Sequence, residues 1–361
     1  MHLSNESKQI RIVFLYTVVV HYVVAVLRAL KNINPNIQII LVYYDKRGSS
    51  KVQYEIPKVN GVLFLARSRF NKSALYDLLI TEDPTIIYIS GWVDKDYLWA
   101  VKRFKSDKKK TIVITGIDDQ WFGTLRQHLG IIYYKLFYKK IFDFFWVAGK
   151  PQYHYAQRFG LQNNRIITNL LSADDEIFSE KSVRTKRFVF LGRFVEVKGI
   201  DILLTAYNQL ADETRKNWPL VLIGDGPLRE YIESHTNQYI QLVPFLQPKE
   251  LKVELSKGGV LCLPSRKDAW GLVVHELALI GYPLILSSAC GAATEFLISG
   301  YNGFLFQSNS IDSLRKSLML MTTLSDEDLE LFSKRSSLLG SRINPEISAH
   351  SLLSVLTLAE I

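Results

Sequence analysis

The chain has very little cysteine, two residues in 361, Cys262 and Cys290. They are far apart in sequence and each lies beside an apolar run. A disulfide framework is therefore not expected, and both thiols read as buried groups in a reducing compartment. Neither a His-Glu-x-x-His nor a paired Cys-x-x-Cys occurs, which argues against a zinc enzyme. Long hydrophobic runs are missing too. The longest uncharged stretch, Ile12 to Leu27, has 16 residues between Arg11 and Arg28 and includes Thr17 and His21. Spanning a bilayer takes about 20. A signal anchor is the lesser reading; the stretch reads better as a strand from Arg11 to Tyr16 followed by a helix through Leu30. No charged or Gly/Ser-rich tract marks a disordered linker, and no helix-turn-helix, zinc finger or RNP-type motif supports nucleic-acid binding.

Charge is present but uneven. The net charge is +9, with 44 Lys+Arg against 35 Asp+Glu. Residues 1–178 carry 25 basic against 15 acidic side chains, and residues 179–361 carry 19 against 20. The basic half is also aromatic, most densely from Ile131 to Trp146, where Lys135, Lys139 and Lys140 would lie near one helical face. Lys102, Arg103, Lys105 and Lys108 to Lys110 form a second cluster. Two readings compete: a solvated face on a core helix, and peripheral attachment to anionic lipid. Asp94-Lys95-Asp96 looks like a metal-binding Asp-x-Asp, but without the expected sheet context it reads as a solvated helix start.

The apolar runs give the architecture. Arg11 to Tyr16, Ile37 to Tyr43, Thr85 to Ile89 and Thr111 to Thr115 alternate with helical patterns, which predicts a parallel sheet. Phe188 to Leu191, Leu220 to Ile223 and Val260 to Leu263 repeat the pattern. A chain of this length is expected to form two domains. They are placed at residues 1–178 and 179–345, followed by a helix over 346–361 that could cross back to the first domain.

Strand ends in the second half carry the chemistry. After Leu191 comes Gly192-Arg193-Phe194-Val195-Glu196-Val197-Lys198-Gly199, two cations flanking a loop ahead of a helix. Ile223 is followed by Gly224-Asp225-Gly226-Pro227, weak evidence alone because the third glycine of the dinucleotide fingerprint is absent. Leu263 leads into Pro264-Ser265-Arg266-Lys267-Asp268-Ala269-Trp270-Gly271, then Leu272 to Glu276. Were the whole span helical, Asp268 and Glu276 would lie about 12 Å apart along the axis. The alternative is an Asp cap and a solvated Glu. Cys290-Gly291, Glu295 and Asn302-Gly303 follow in order.

These motifs, in this order, resemble the C-terminal half of family 4 glycosyltransferases of the GT-B fold; upstream, Asn169, Asp174 and Phe178 are similar to that family's interdomain segment. The resemblance is strong over the last half of the chain and weak over the first. It implies two doubly wound Rossmann-like domains facing across a cleft, and transfer of a sugar from a nucleoside-diphosphate sugar to an acceptor hydroxyl with retention of configuration. No metal or other cofactor is implied. Arg193, Lys198 and helix N-terminal amides near Gly271 would face the diphosphate, and Gly291 to Glu295 would support the phosphate side. Gly271 would lie beside the sugar, and Gly192 and Leu272 would also bind the donor. Asp268, in place of the family's usual Glu, would hold donor-sugar hydroxyls beside Trp270, and Glu276 would bind the ribose. The acceptor would be a glycan or lipid-linked oligosaccharide of a bacterial surface-polysaccharide pathway, reached at the cytoplasmic face.

The first half departs from the family. Its first strand–helix turn, Tyr16-Thr17-Val18-Val19, has no glycine pair. Where the family often has a histidine facing the transferred sugar, this chain has Asp118 and Asp119. Either is a candidate for the polar group facing the reacting centre, with an Asx turn or helix cap as an equal alternative. His21 and Trp92 complete the expected acceptor side. These departures keep two rivals open, a catalytically silent subunit that binds sugar nucleotide and a sugar-nucleotide epimerase.

Overall fold

The computed structural model describes residues 9–45, 58–108 and 110–359. The chain divides into two compact units, residues 1–172 with 345–361, and residues 173–344. The first boundary thus falls at Ser172/Ala173, ahead of the expected 178/179. Asp174 and Phe178 belong with the second unit because the turn they form is buried there, with the Phe178 amide donating to the Asp174 carbonyl at 2.9 Å. Residues 345–361 belong with the first unit, where the helix Pro345–Leu353 packs on the helix His21–Ile33.

The first unit has seven parallel strands: β1 (Arg11–Tyr16), β2 (Gln38–Tyr43), β3 (Val62–Ala66), β4 (Ile86–Ile89), β5 (Ile112–Ile117), β6 (Phe144–Val147) and β7 (Ile166–Ile167). Their spatial order is β3-β2-β1-β4-β5-β6-β7. The strands are near-continuous apolar runs because helices cover both faces of a parallel sheet. The second unit repeats the plan with β8 (Phe188–Leu191), β9 (Leu220–Ile223), β10 (Ile240–Val243), β11 (Val260–Leu263), β12 (Leu284–Ser287) and β13 (Gly303–Phe306), in the order β10-β9-β8-β11-β12-β13. All pairings are parallel, with Val260 beside Phe188 and Leu284 beside Gly303.

In each sheet the strand order reverses beside the first strand, between β1 and β4 and between β8 and β11. Ligands of doubly wound sheets bind outside the carboxyl ends at such a reversal. The glycine-free turn after β1 closes there by another route: the Thr17 amide donates to Ser90 Oγ at 2.9 Å, and the two hydroxyls lie 3.2 Å apart. Ser90, just after β4, thus ties the turn after β1 to the end of the neighbouring strand.

Candidate functional site

The second unit's reversal point brings together loops that are distant in sequence. After β8 the chain makes a short turn, Glu196–Lys198, and enters the helix Ile200–Asn208 through Gly199 in a left-handed conformation (φ 66°). A Cβ on Gly199 would stand 2.1 Å from the Pro264 carbonyl oxygen, so only glycine lets this loop lie against the end of β11. Gly224 works alike, since its Cβ would meet the Gly192 carbonyl at 2.0 Å.

The loop after β11 is stitched to the first. The amides of Arg266 and Lys267 donate to the Val197 carbonyl at 2.9 and 3.3 Å. The Arg266 guanidinium grips both Asp201 carboxylate oxygens, at 2.7 and 2.6 Å, and donates to the Glu196 carbonyl at 2.8 Å. That fork holds the Asp201 carboxyl below its ordinary range. Asp201 and Arg266 are 65 residues apart in sequence, so only the fold shows that they pair.

This stitching places Lys198 Nζ 2.5 Å from Asp268 Oδ2, which also accepts from Ser265 Oγ at 3.1 Å. Asp268 is largely buried, and its backbone bridges that of Cys290, with the Gly291 amide donating to the Asp268 carbonyl at 3.1 Å. The helix begins only at Leu272, with left-handed Gly271 (φ 87°) as its cap. Asp268 therefore sits ahead of the helix in extended backbone and Glu276 is buried inside it, so the span between the two carboxylates is only partly helical. A Cβ on Gly271 would lie 3.3 Å from Asp268 Oδ2 and 2.9 Å from Cys290 Sγ, so carboxylate, thiol and helix start are packed together. Burial, with the Asp268 charge adding, pushes the Cys290 thiol up to about 12. Both cysteines are free and buried.

The other expected donor residues take definite places. Trp270 is buried edge-on against Phe296, its carbonyl accepting from the Ala292 amide at 2.8 Å, while its indole nitrogen has no acceptor among the described residues. Glu295 is half-exposed on the short helix Ala293–Phe296. Gly192 follows β8, and its amide donates to the Ile223 carbonyl at 3.1 Å. The Arg193 side chain is exposed and has no ion pair among the described residues, whereas Lys198 is already bound to Asp268. The two expected phosphate cations are thus in different states, one committed and one uncommitted.

His275 escaped sequence reading because it lies inside an apolar segment. It is fully buried; Nδ1 accepts from the Ala173 amide at 3.0 Å, and Nε2 faces the Gly340 and Ile343 carbonyls at 2.9 and 3.0 Å. Those partners require the neutral tautomer protonated at Nε2. Its ring stacks on Phe296, with centroids 4.3 Å apart. Burial holds its pKa down to about 4, against the usual 6.5. A depressed histidine stabilises the fold above its unfolded pKa and loses that contribution as pH falls toward the folded value, about 3 kcal/mol in all. The stability gap between wild type and His275→Asn, from urea unfolding, should therefore narrow steadily from about pH 6.5 to 4; a constant gap would refute the assignment. Asn302 is also structural, donating to the Phe296 carbonyl at 2.9 Å and to Ser336 Oγ at 3.1 Å.

In the first unit, Asp118 and Asp119 follow β5. Protein crowding raises the Asp118 carboxyl, with the Asp119 charge adding, although the side chain keeps solvent contact. Asp119 is engaged locally, accepting from the Gln120 amide at 3.0 Å and from Gln127 Nε2 at 3.4 Å. His21 opens its helix half-buried, edge-on to Tyr22. Trp92 is half-buried; it stacks on Tyr134 at 5.6 Å and meets Phe159 edge-on at 5.4 Å. Asp94 does start a helix but is not solvated. It is buried, caps the Asp96 and Tyr97 amides, and binds Arg67 Nε at 2.7 Å. Among the described residues no group of three or more His, Cys, Asp or Glu side chains is placed to hold a metal ion.

Two doubly wound parallel sheets, each with its reversal point at the first strand, define a GT-B fold, and solved glycosyltransferases share it. Anabaena HepE in complex with UDP and glucose aligns with a TM-score of 0.70 at 14% identity, covering 96% of this chain and 99% of that one. Sucrose-phosphate synthase of Thermosynechococcus elongatus gives 0.73 at 14%, covering 96% and 98%. At such identities the likeness speaks for the fold.

Residues 173–336, nearly all of the second unit, match the family of group 1 glycosyl transferases. An uncharacterized glycosyltransferase of Methanocaldococcus jannaschii is 31% identical over 160 residues, 41% of this chain and 43% of that protein. A Campylobacter jejuni α-1,4-N-acetyl-D-galactosaminyltransferase, whose name specifies a PP-undecaprenol-linked glycan, is 28% identical over 184 residues, half of each protein. The chain spans half or less of the length of these relatives.

Proposed function

We propose that the chain is a retaining family 4 glycosyltransferase that moves a hexose from a nucleoside-diphosphate sugar to an acceptor hydroxyl. The observation that carries this reading is the Lys198–Asp268 pair at the second sheet's reversal point, ahead of the helix capped by Gly271. Departure of the nucleoside diphosphate builds negative charge on phosphate oxygens. Fixed donors aimed at that charge lower the barrier more than donors that must reorganise. Lys198 is held in place by Asp268, and the amides at Gly271 and Leu272 open a helix whose N-terminal dipole favours an anion. Arg193, exposed and uncommitted, is free to close on the outer phosphate.

In this reading Asp268 holds hydroxyls of the donor sugar, beside Trp270, and Glu276 binds the ribose. Gly291 and Glu295 flank the phosphate side. UDP is the first choice of nucleotide, in line with HepE in complex with UDP and glucose, and the acceptor is a lipid-linked oligosaccharide, in line with the Campylobacter relative's name. No metal is called for, since Lys198, Arg193 and the helix amides supply the opposing charge. Asp118 is the acceptor-side carboxylate, its raised pKa suiting a group that faces a reacting hydroxyl; Asp119, His21 and Trp92 are the other residues of the proposed acceptor side.

Arg193→Ala should slow turnover about 100-fold, the effect of losing one preorganised donor. Folding should be nearly unchanged, because the side chain is exposed. Full turnover in that variant would remove Arg193 from the phosphate clamp. A thermal-shift screen of nucleotide sugars identifies the donor, since a ligand at 100 times its Kd adds about 2.7 kcal/mol of stability.

A further inference from the structure

The helix Leu125–Phe137 of the first unit is attached to its core by one face only. Gln127 and Tyr134 are buried, while Leu125, Leu129, Ile132 and Leu136 are 74%, 56%, 54% and 71% exposed. At 3.6 residues per turn these four fall within about 60° of one another, opposite Gln127 and Tyr134. Tyr133 and Phe137 are exposed along one edge. A water-facing helix surface is normally polar, and a continuous apolar stripe marks a binding face. The opening of the helix needs no partner, being closed by a Thr124–Gln127 capping box.

The charge around the stripe has one sign. Arg126 and Lys135 lie on the helix, Lys139 and Lys140 in the turn after it, and no acidic residue occurs from Thr124 to Phe142. None of these four cations has an ion pair among the described residues. The second basic cluster differs: Lys105 pairs with Asp143, Arg103 with Asp107 and Lys108 with Asp83. Lys102, Lys105, Lys135, Lys139 and Lys140, with Phe137, line a groove of about 530 Å³ at the helix end. A second copy would bring two uncompensated lysine rows together. An anionic lipid surface answers both features, taking apolar side chains at the acyl boundary and cations at the phosphates.

We propose that this face docks on an anionic membrane surface, with Leu125, Leu129, Ile132 and Leu136 entering the acyl boundary and Lys135, Lys139 and Lys140 meeting the headgroup phosphates. The expected lysine role is thereby narrowed. Lys139 and Lys140 leave the helical face they were read onto, since the helix ends at Phe137, and the insertion is carried by aliphatic side chains.

The test uses the full chain and phosphatidylcholine vesicles with or without phosphatidylglycerol. Wild type should bind the anionic vesicles, more weakly as salt rises. The triple change Lys135→Gln, Lys139→Gln, Lys140→Gln should weaken that binding about 100-fold, roughly fivefold per cation. Ile132→Ser with Leu136→Ser should weaken it about tenfold or more while leaving its salt dependence. Leu136→Cys carrying an environment-sensitive dye reports insertion directly, because both native cysteines are buried; a shift to apolar emission on anionic vesicles is expected. Equal partitioning of all variants, or a silent dye on a bound protein, would overturn the proposal. So would a dimer in sedimentation equilibrium that Ile132→Asp dissociates. No readout involves sugar transfer, so this inference and the donor reading fail separately.

Discussion

Asp268→Asn is expected to abolish most sugar transfer, by about 1000-fold, while leaving nucleoside-diphosphate binding close to wild type. The carboxylate is one methylene shorter than the glutamate usual in the family it resembles, so its reach is less by about one C–C bond, roughly 1.5 Å. Its position compensates: the backbone bridge to Cys290 and bare Gly271 let the loop sit close against the helix start. Asparagine can still accept from Lys198 and Ser265, so the loop should keep its shape. What is lost is the charge that orders Lys198 and that, in the proposed function, binds sugar hydroxyls as the glycosidic bond breaks. Removing one preorganised electrostatic contact costs about 10²–10³ in turnover, and Asp268 supports two, its own and that of Lys198. Steady-state turnover with titration of nucleoside diphosphate checks this. Full activity would leave Asp268 as a cap and a structural ion pair.

Glu276→Gln should show the opposite division. Glu276 is buried one turn into the helix; if it binds the ribose as proposed, its loss should weaken nucleotide binding by about 1.5–3 kcal/mol, the worth of a hydrogen bond to a charged group. That is roughly 10- to 150-fold in Kd. Turnover at saturating donor should change far less. If the substitution lowered turnover without moving nucleotide Kd, the roles of the two carboxylates would have to be exchanged.

Much of the fold was legible because parallel strands covered on both faces are written as short apolar runs that stop at Gly, Pro or Ser. Phe188–Leu191, Leu220–Ile223 and Val260–Leu263 end where glycine or Pro-Ser punctuation begins. The contacts between loops were not legible. Lys198 and Asp268 are 70 residues apart and meet only because β8 and β11 are neighbours at a reversal of strand order. Asp94 was misread for the same reason: its cation, Arg67, lies 27 residues upstream on another loop. Trp92 follows Ser-Gly at a strand end, and its ring contacts with Tyr134 and Phe159, more than 40 residues away, were not legible there. The leucine stripe of Leu125–Phe137 was written in the sequence at spacings of four, three and four. A helix buried on that face would read the same way, and only the fold shows which face is turned to water.

The most direct test of the central claim is release of nucleoside diphosphate by the full chain from a panel of nucleotide sugars, without acceptor and then with lipid-linked glycan. One donor should be hydrolysed slowly alone and transferred faster with acceptor. Both activities should disappear in Asp268→Asn, which still binds the nucleotide. Nucleotide binding with no release under either condition would favour a silent subunit. Interconversion of donor epimers without release would identify an epimerase, and either result would contradict the account.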